Sequence, residues 1–374
     1  MLYYSRQGAF FKLITKVSDR KQLNKFVFFI KDLYGDCEKY GFPIFYSLKK
    51  ELSKIVLQEK SYTALICEKD GVAAGRLLYT IDYSKHKKQN IGYFSYFDCI
   101  DESDVSRELF EYMENDLKGR VPYIEGTFSP FDPDTRRGIL VKGFEEDHTF
   151  MTSYNYDYYE KHLLDLGYQK AYDTYTVRIP LEKDNTDKVR LIGEKMDNIL
   201  NIKVDSLDLK NMDRDIEDIH SILTAATTEI NYQEAPSIEV IRKFADSVKF
   251  LVNPDFIKIA RETTGGKAVG FCLVMPDFNQ ILRKTKGKIK PLVFLTQKNK
   301  IDSVRGILQY VIPEYQKKGV IALIYYKLYE AFEKHGITKF EGGTIMEENA
   351  ASWGALVKFG GEISKIYRIM GKNI

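Results

Sequence analysis

The strongest constraint on the fold is that one plan is written twice along the chain. Residues 64–79 read as two apolar strands joined by Asp70-Gly71, the dipeptide that best tolerates the positive φ angles of a tight hairpin. Residues 256–275 repeat the arrangement around Gly265-Gly266, and Gly270 answers Gly75. The helix ending at Gly360 answers the one ending at Gly167, and a closing strand at 363–370 answers one at 171–179. A unit that recurs after half the chain predicts two copies of one architecture, and 374 residues suit two domains of ordinary size. The expected class is therefore α+β (α/β), with domains at 1–185 and 186–374. The charged stretch 182–188 reads as a linker leading into a helix at 189–200.

In the first half the pattern predicts a strand at 10–15, helices at 19–34 and 46–58, a strand at 92–99, a helix at 103–118 and a strand at 122–126. Residues 128–138, rich in proline, aspartate and glycine, are loop chemistry. Tyr154, Tyr156, Tyr158 and Tyr159 follow, able either to line a pocket or to staple a helix onto a sheet. In the second half, residues 304–312 form a β-branched strand that Pro313 stops. After a turn, apolar residues at 321, 324, 325, 328 and 332 mark a helix capped by Gly336. Gln316, Lys317, Lys318, Gly319, Val320 and Ile321 thus lie where a helix begins. Unpaired N–H groups and the positive dipole end suit a phosphate there.

Gln316-x-x-Gly319 after a strand resembles the acyl-CoA pyrophosphate loop of the GCN5-related N-acetyltransferase (GNAT) superfamily. A strand at 339–346 and the run from Asn349 to Gly361 resemble that superfamily's next strand and helix. More narrowly, the chain resembles a little-described family of tandem GNAT-like bacterial proteins. The resemblance implies two tandem GNAT-like domains, each a central mixed sheet flanked by helices. It also implies an acyl-CoA-dependent N-acyltransferase that transfers an acetyl group, with acetyl-CoA or another acyl-CoA as co-substrate. The cofactor residues would be Gln316, Lys317, Lys318, Gly319, Val320, Ile321 and Asn349, and the acceptor an amine of a small molecule or peptide. The reaction cleft should open between 308–312 and 341–346. Glu347 and Glu348 follow the second of these strands and are the catalytic candidates for the base, although the same carboxylates also suit the helix that Asn349 caps. Trp353, the only tryptophan, reads as packed or as lining the cofactor cleft.

Two positions depart from the pattern: Ile321 replaces the loop's last small residue, and Leu356 stands where many GNAT enzymes carry a tyrosine acid. A Fem-like aminoacyl transferase or a catalytically decayed ligand-binding module are the alternative readings. In the first half, Asp101, Glu102 and Asp104 occupy the corresponding helix start. Carboxylates there would repel a pyrophosphate, so that half should shape the acceptor pocket instead. Residues 280–300, with seven basic residues and no acidic ones, are expected to form a lid over the cleft.

The charge balance, 56 basic against 53 acidic residues, argues for neither DNA nor membrane as partner. No apolar run approaches a spanning helix and the first residues lack a signal-peptide pattern, which predicts no membrane insertion and a cytoplasmic location. Five scattered histidines and four cysteines without Cys-x-x-Cys spacing predict no metal site. Cys99 beside Asp98 is a poor nucleophile, because an acidic neighbour raises a thiol's pKa.

Overall fold

The computed structural model describes residues 12–132, 135–228, 235–249, 252–288 and 290–374. The first half contains β1 (Lys12–Lys16), α1 (Arg20–Leu33), α2 (Phe45–Leu52), β2 (Thr63–Lys69), β3 (Val72–Ser84), β4 (Gln89–Cys99), α3 (Ser103–Leu117), β5 (Tyr123–Gly126), β6 (Ile139–Lys142), α4 (Tyr158–Asp165) and β7 (Gln169–Pro180). The second half begins with α5 (Lys183–Ile199), β8 (Ile202–Ser206), α6 (Met212–Thr227), α7 (Ile238–Val248), β9 (Ile257–Glu262) and β10 (Ala268–Pro276). It continues with α8 (Asn279–Thr285), α9 (Pro291–Gln297), β11 (Ser303–Val311), α10 (Val320–Lys334), β12 (Lys339–Met346), α11 (Ala350–Lys358) and β13 (Glu362–Asn373). Of the expected first strand, residues 10 and 11 lie outside the described residues.

Local chemistry explains the elements. The β2–β3 hairpin turns at Asp70 (φ 52°) and Gly71 (φ 81°), the pair of positive φ angles that a two-residue turn of matching twist requires. Helix α1 starts at a reciprocal cap: the Asp19 carboxylate accepts the Gln22 N–H at 2.8 Å, and the Gln22 amide oxygen accepts the Ser18 N–H at 2.7 Å. The expected helix at 46–58 is α2 followed by a π-helical turn, Ser53–Gln58.

The sheet runs β1-β2-β3-β4-β5-β13-β7-β12-β11-β10-β9-β8, with β6 also on β13. That order is a palindrome of the two repeats except at its centre, where the closing strands have changed places. β13, the last strand of the second half, pairs with β5 of the first through Met370–Asn373. β7, the last strand of the first half, pairs with β12 of the second over Lys339–Gly342 and Ile345–Met346. Val177 and Ile179 of β7 accordingly sit in the second half's core, and Met370 of β13 sits in the first half's. One continuous sheet results, each half completed by the other.

Two expectations need correction. The stretch 182–188 is no free linker: α5 starts at Lys183 and lies along α10. Its charged residues face solvent while Val189 and Gly193 face inward, and a Cβ on Gly193 would come within 2.1 Å of the Tyr326 Cβ. The segment 280–300 is likewise no cleft lid. Ile281 and Leu282 of α8 are core residues, and the Asn279 side-chain amide donates to the His148 carbonyl at 2.9 Å. Lys286 donates to the Gly35 carbonyl at 3.0 Å, so the segment fastens one half to the other. It enters β11 at Ser303, whereas the 316–321 turn follows the far end of that strand, roughly 30 Å away for nine extended residues.

Candidate functional site

The second half's cleft begins where two parallel strands part. β11 and β12 share a ladder from Ser303–Lys339 to Gly306–Gly342 only. Beyond it β11 follows β10 up to Val311, and β12 follows β7 up to Met346. The wedge therefore opens after Gly306 and Gly342, within a residue or two of where the sequence pattern puts it, and towards the carboxyl ends of both strands. Glycine at the branch has a packing reason: the Phe340 ring would lie 3.2 Å from a Cβ on Gly306.

The basic turn closes the β11 side of this opening. Pro313–Tyr315 form a short 3-10 turn, Lys317 and Gly319 take positive φ (59° and 89°), and α10 starts at Val320. No side chain among the described residues caps that helix, which leaves the N–H groups of its first turn open to solvent or a ligand. Lys317 and Lys318 are exposed beside them; Val320 and Ile321 turn inward, buried and half-buried. Gln316 is committed locally, donating its side-chain amide to the Val311 carbonyl at 3.1 Å. Gly319 is packed as well as permissive: a Cβ there would meet the Met196 sulfur of α5 at 2.2 Å.

On the β12 side, Glu347 is held on both oxygens, by the Asp173 N–H at 2.9 Å and by Lys170 at 2.7 Å. Its carbonyl accepts the Trp353 indole N–H at 3.0 Å, which accounts for the single tryptophan. Glu348 is exposed. The Asn349 side chain caps α11 by accepting the Ser352 N–H at 3.2 Å. Leu356 is 3% exposed and packs on Gly342, so no acid stands there.

A buried ionic group at the branch point was missed by sequence reasoning. Glu341, the residue before Gly342, is 6% exposed; one of its oxygens is held by Lys365 at 2.8 Å and Thr149 at 3.0 Å, and the other has no partner among the described residues. Arg305, on the facing strand, donates to the carbonyls of Met151 (2.6 Å), Phe150 (2.9 Å) and Gly343 (3.1 Å). Asp277, fixed by the Phe150 N–H at 2.8 Å, is pushed up to about 6 by burial, with the Glu341 charge adding to it. The usable signal was the repeat, Glu125-Gly126-Thr127 answering Glu341-Gly342-Gly343-Thr344 at matching strands.

The first half carries a matching branch. β4 and β5 are paired only from Gly92–Ile124 to Phe94–Gly126, and β4 runs on to Cys99. Beside the unpaired segment is a polar cavity of about 40 Å³, space for a few waters, lined among others by Tyr40, Tyr96, Asp98, Arg136, His148 and Ser153. Asp98 is neutralised by Arg76 (2.8 and 2.5 Å) and accepts from the Tyr34 hydroxyl at 3.1 Å. Arg136 lies over the Tyr96 ring at 4.7 Å. Burial pushes His148 down to about 3 and the Cys99 thiol well up, with the Asp98 charge also raising the latter. The tyrosine cluster divides its roles: Tyr154 lines the cavity, whereas Tyr158 donates to the Cys99 carbonyl at 2.7 Å and Tyr159 accepts the Cys99 N–H at 2.9 Å. At the start of α3, Glu102 pairs with Lys69 at 2.6 Å and Asp101 with His162 at 3.3 Å.

No protein-family model matches the chain. It is 25% identical to Protein YghO of Escherichia coli K12 over 387 aligned residues, covering 97% of this chain and 95% of that one. It is 22% identical to the bacterial ceramide synthase of Caulobacter vibrioides over 297 residues, 76% of this chain and 75% of that one. Among solved structures, a tandem GNAT protein from the clavulanic acid pathway superposes with a TM-score of 0.57 at 8% identity, covering 97% of this chain and 98% of that one. A GCN5-related N-acetyltransferase from Sphaerobacter thermophilus gives 0.52 at 11% identity, covering 96% and 95%. The glucosamine N-acetyltransferase region of a fungal multi-domain β-N-acetylglucosaminidase gives 0.58 at 11% identity; it covers 96% of this chain, which spans only 38% of that longer protein. The chain has the GNAT fold, in tandem.

Proposed function

We propose that the protein is an acyl-CoA-dependent N-acyltransferase whose second half holds the CoA. The observation that carries this reading is the wedge between β11 and β12, flanked by an uncapped helix start with Lys317 and Lys318 beside it. The N–H groups of α10 would receive the pyrophosphate, and the acyl thioester would lie in the wedge. Likeness to a protein named ceramide synthase favours amide formation, since ceramide is a fatty-acid amide, and a long acyl chain over an acetyl group. The acceptor is accordingly an amine, on a small molecule, lipid or peptide. The first half, whose α3 start is occupied by carboxylates, serves the acceptor.

The amine must lose a proton as it attacks the thioester carbonyl. Glu347, held by Lys170 and the Asp173 N–H, is poorly available for that task, and Glu348 is the freer of the pair. Glu341 is a third candidate: its unpartnered oxygen sits at the branch point, and Lys365 keeps the other oxygen fixed. With Leu356 in the acid's position, the thiol leaves as thiolate, as a thiol of ordinary acidity can. Reading the chain as a binding module without turnover rests on that same residue and on Ile321.

Calorimetry with CoA and thiol release from an acyl-CoA series test this. One site per chain is expected, and Lys317→Glu/Lys318→Glu, both exposed, should weaken it about ten-fold or more through lost phosphate attraction. Unchanged affinity in that variant and in Gly319→Glu removes the loop assignment. Tight binding without thiol release across amine acceptors selects the binding module.

A further inference from the structure

Helix α9 presents an apolar face that the fold does not use. Val293 and Phe294 pack inward, with the Phe294 ring 6.2 Å from Phe278. Leu292 and Leu295, three residues apart and so on one helix face, are 78% and 63% exposed. In the sequence flanking them, Lys284, Lys288, Lys290, Lys298 and Lys300 are all exposed, and none has an ion-pair partner among the described residues. The other two basic residues are committed, Arg283 to Asp147 and Lys286 to the Gly35 carbonyl. No acidic residue occurs from 278 to 301. Gly287 seats the segment against Pro43 and Phe45, and the next residue of α2, Tyr46, is 76% exposed.

We propose that this face docks on an anionic lipid bilayer surface, with Leu292 and Leu295 entering the acyl boundary and the five lysines meeting headgroup phosphates. Exposed leucines flanked in sequence by one sign of charge are the pattern of an interfacial helix, and an exposed tyrosine next to Phe45, where the segment is seated, suits the same depth. A second copy of the chain fits worse: a two-fold contact would set these lysines against their own copies. Nucleic acid would engage the lysines and leave the leucines without a role. The docking is peripheral, because no helix among the described residues is long and apolar enough to cross a membrane. It does not depend on the reaction proposed above.

Co-sedimentation of the full chain with phosphatidylcholine vesicles, with and without about 30% phosphatidylglycerol, tests it. Binding is expected only to the anionic vesicles, weakened about ten-fold or more at ~0.5 M salt. Leu292→Ser/Leu295→Ser, which removes no core contact, should weaken it by a similar factor at low salt. Lys288→Gln/Lys290→Gln/Lys298→Gln/Lys300→Gln should abolish it. No binding to anionic vesicles overturns the proposal. So does a leucine variant that binds as well as the parent, which would reduce the face to a charge patch of the nucleic-acid type. A dimer in sedimentation velocity that the leucine variant dissolves would assign the face to a second copy.

Discussion

Leu356 fills the space that a side chain on Gly342 would need: a Cβ on that glycine would stand 2.5 Å from the Leu356 Cδ1. Helix α11 is thereby drawn close onto β12 just where the wedge opens, and the position that the sequence resemblance matches to a tyrosine acid is a core position here. Leu356→Tyr should cost about 1–3 kcal/mol of stability through overpacking and should not accelerate transfer. Urea unfolding alongside thiol release checks both halves of this. A stable variant with faster transfer would mean that the position reaches the cleft.

His148 makes stability depend on pH. Its Nδ1 accepts the Gly41 N–H at 3.1 Å, and Nε2 donates to the Thr152 carbonyl at 2.9 Å, so protonation would break the first bond. Burial holds the folded-state value down to about 3, against roughly 6.5 unfolded. Below the unfolded value only the unfolded chain takes up this proton, so stability is full above about pH 6.5 and falls as pH drops towards 3. Asp277, raised to about 6, acts in the opposite sense, losing stability as pH rises from about 4 to 6. Comparison with His148→Gln isolates the histidine: between pH 7 and 4.5 the parent should lose on the order of 2 kcal/mol more than the variant. Parallel denaturation curves would dismiss the effect.

The exchange of β7 and β13 makes the halves interdependent. Residues 183–374 alone would leave β12 without its β7 partner, and residues 1–182 would leave β5 without β13. Each fragment expressed by itself should aggregate through the bared strand edges, and co-expression should restore a soluble complex. Native mass spectrometry of the two-fragment complex reads the result. A folded, monomeric 183–374 fragment would show that the exchange is dispensable.

Much of the candidate site was legible because it is local. Strand, proline stop, basic turn and amphipathic helix each follow from residue order within a few positions, and β11, the 316–321 turn and α10 stand where periodicity and cap chemistry put them. Glu347 was legible as a carboxylate at a helix start, but not as one held by Lys170, a residue 177 positions away. Glu341 was hidden for the same reason: its neighbours Lys365 and Thr149 reach it only after β13 and the loop following β6 have been laid across the sheet.

By itself, the sequence determined the elements and their repetition, since alternation, helical period and turn residues act over a handful of bonds. Tertiary structure alone decided which half receives each closing strand, where the 280–300 segment sits and which carboxylate is left with a free oxygen. Both closing strands mix apolar with charged residues and pair antiparallel, so neither β7 nor β13 carries a local mark of the half it completes. Their places depend on edges more than a hundred residues away, and pairing at that range is set by the packed sheet as a whole.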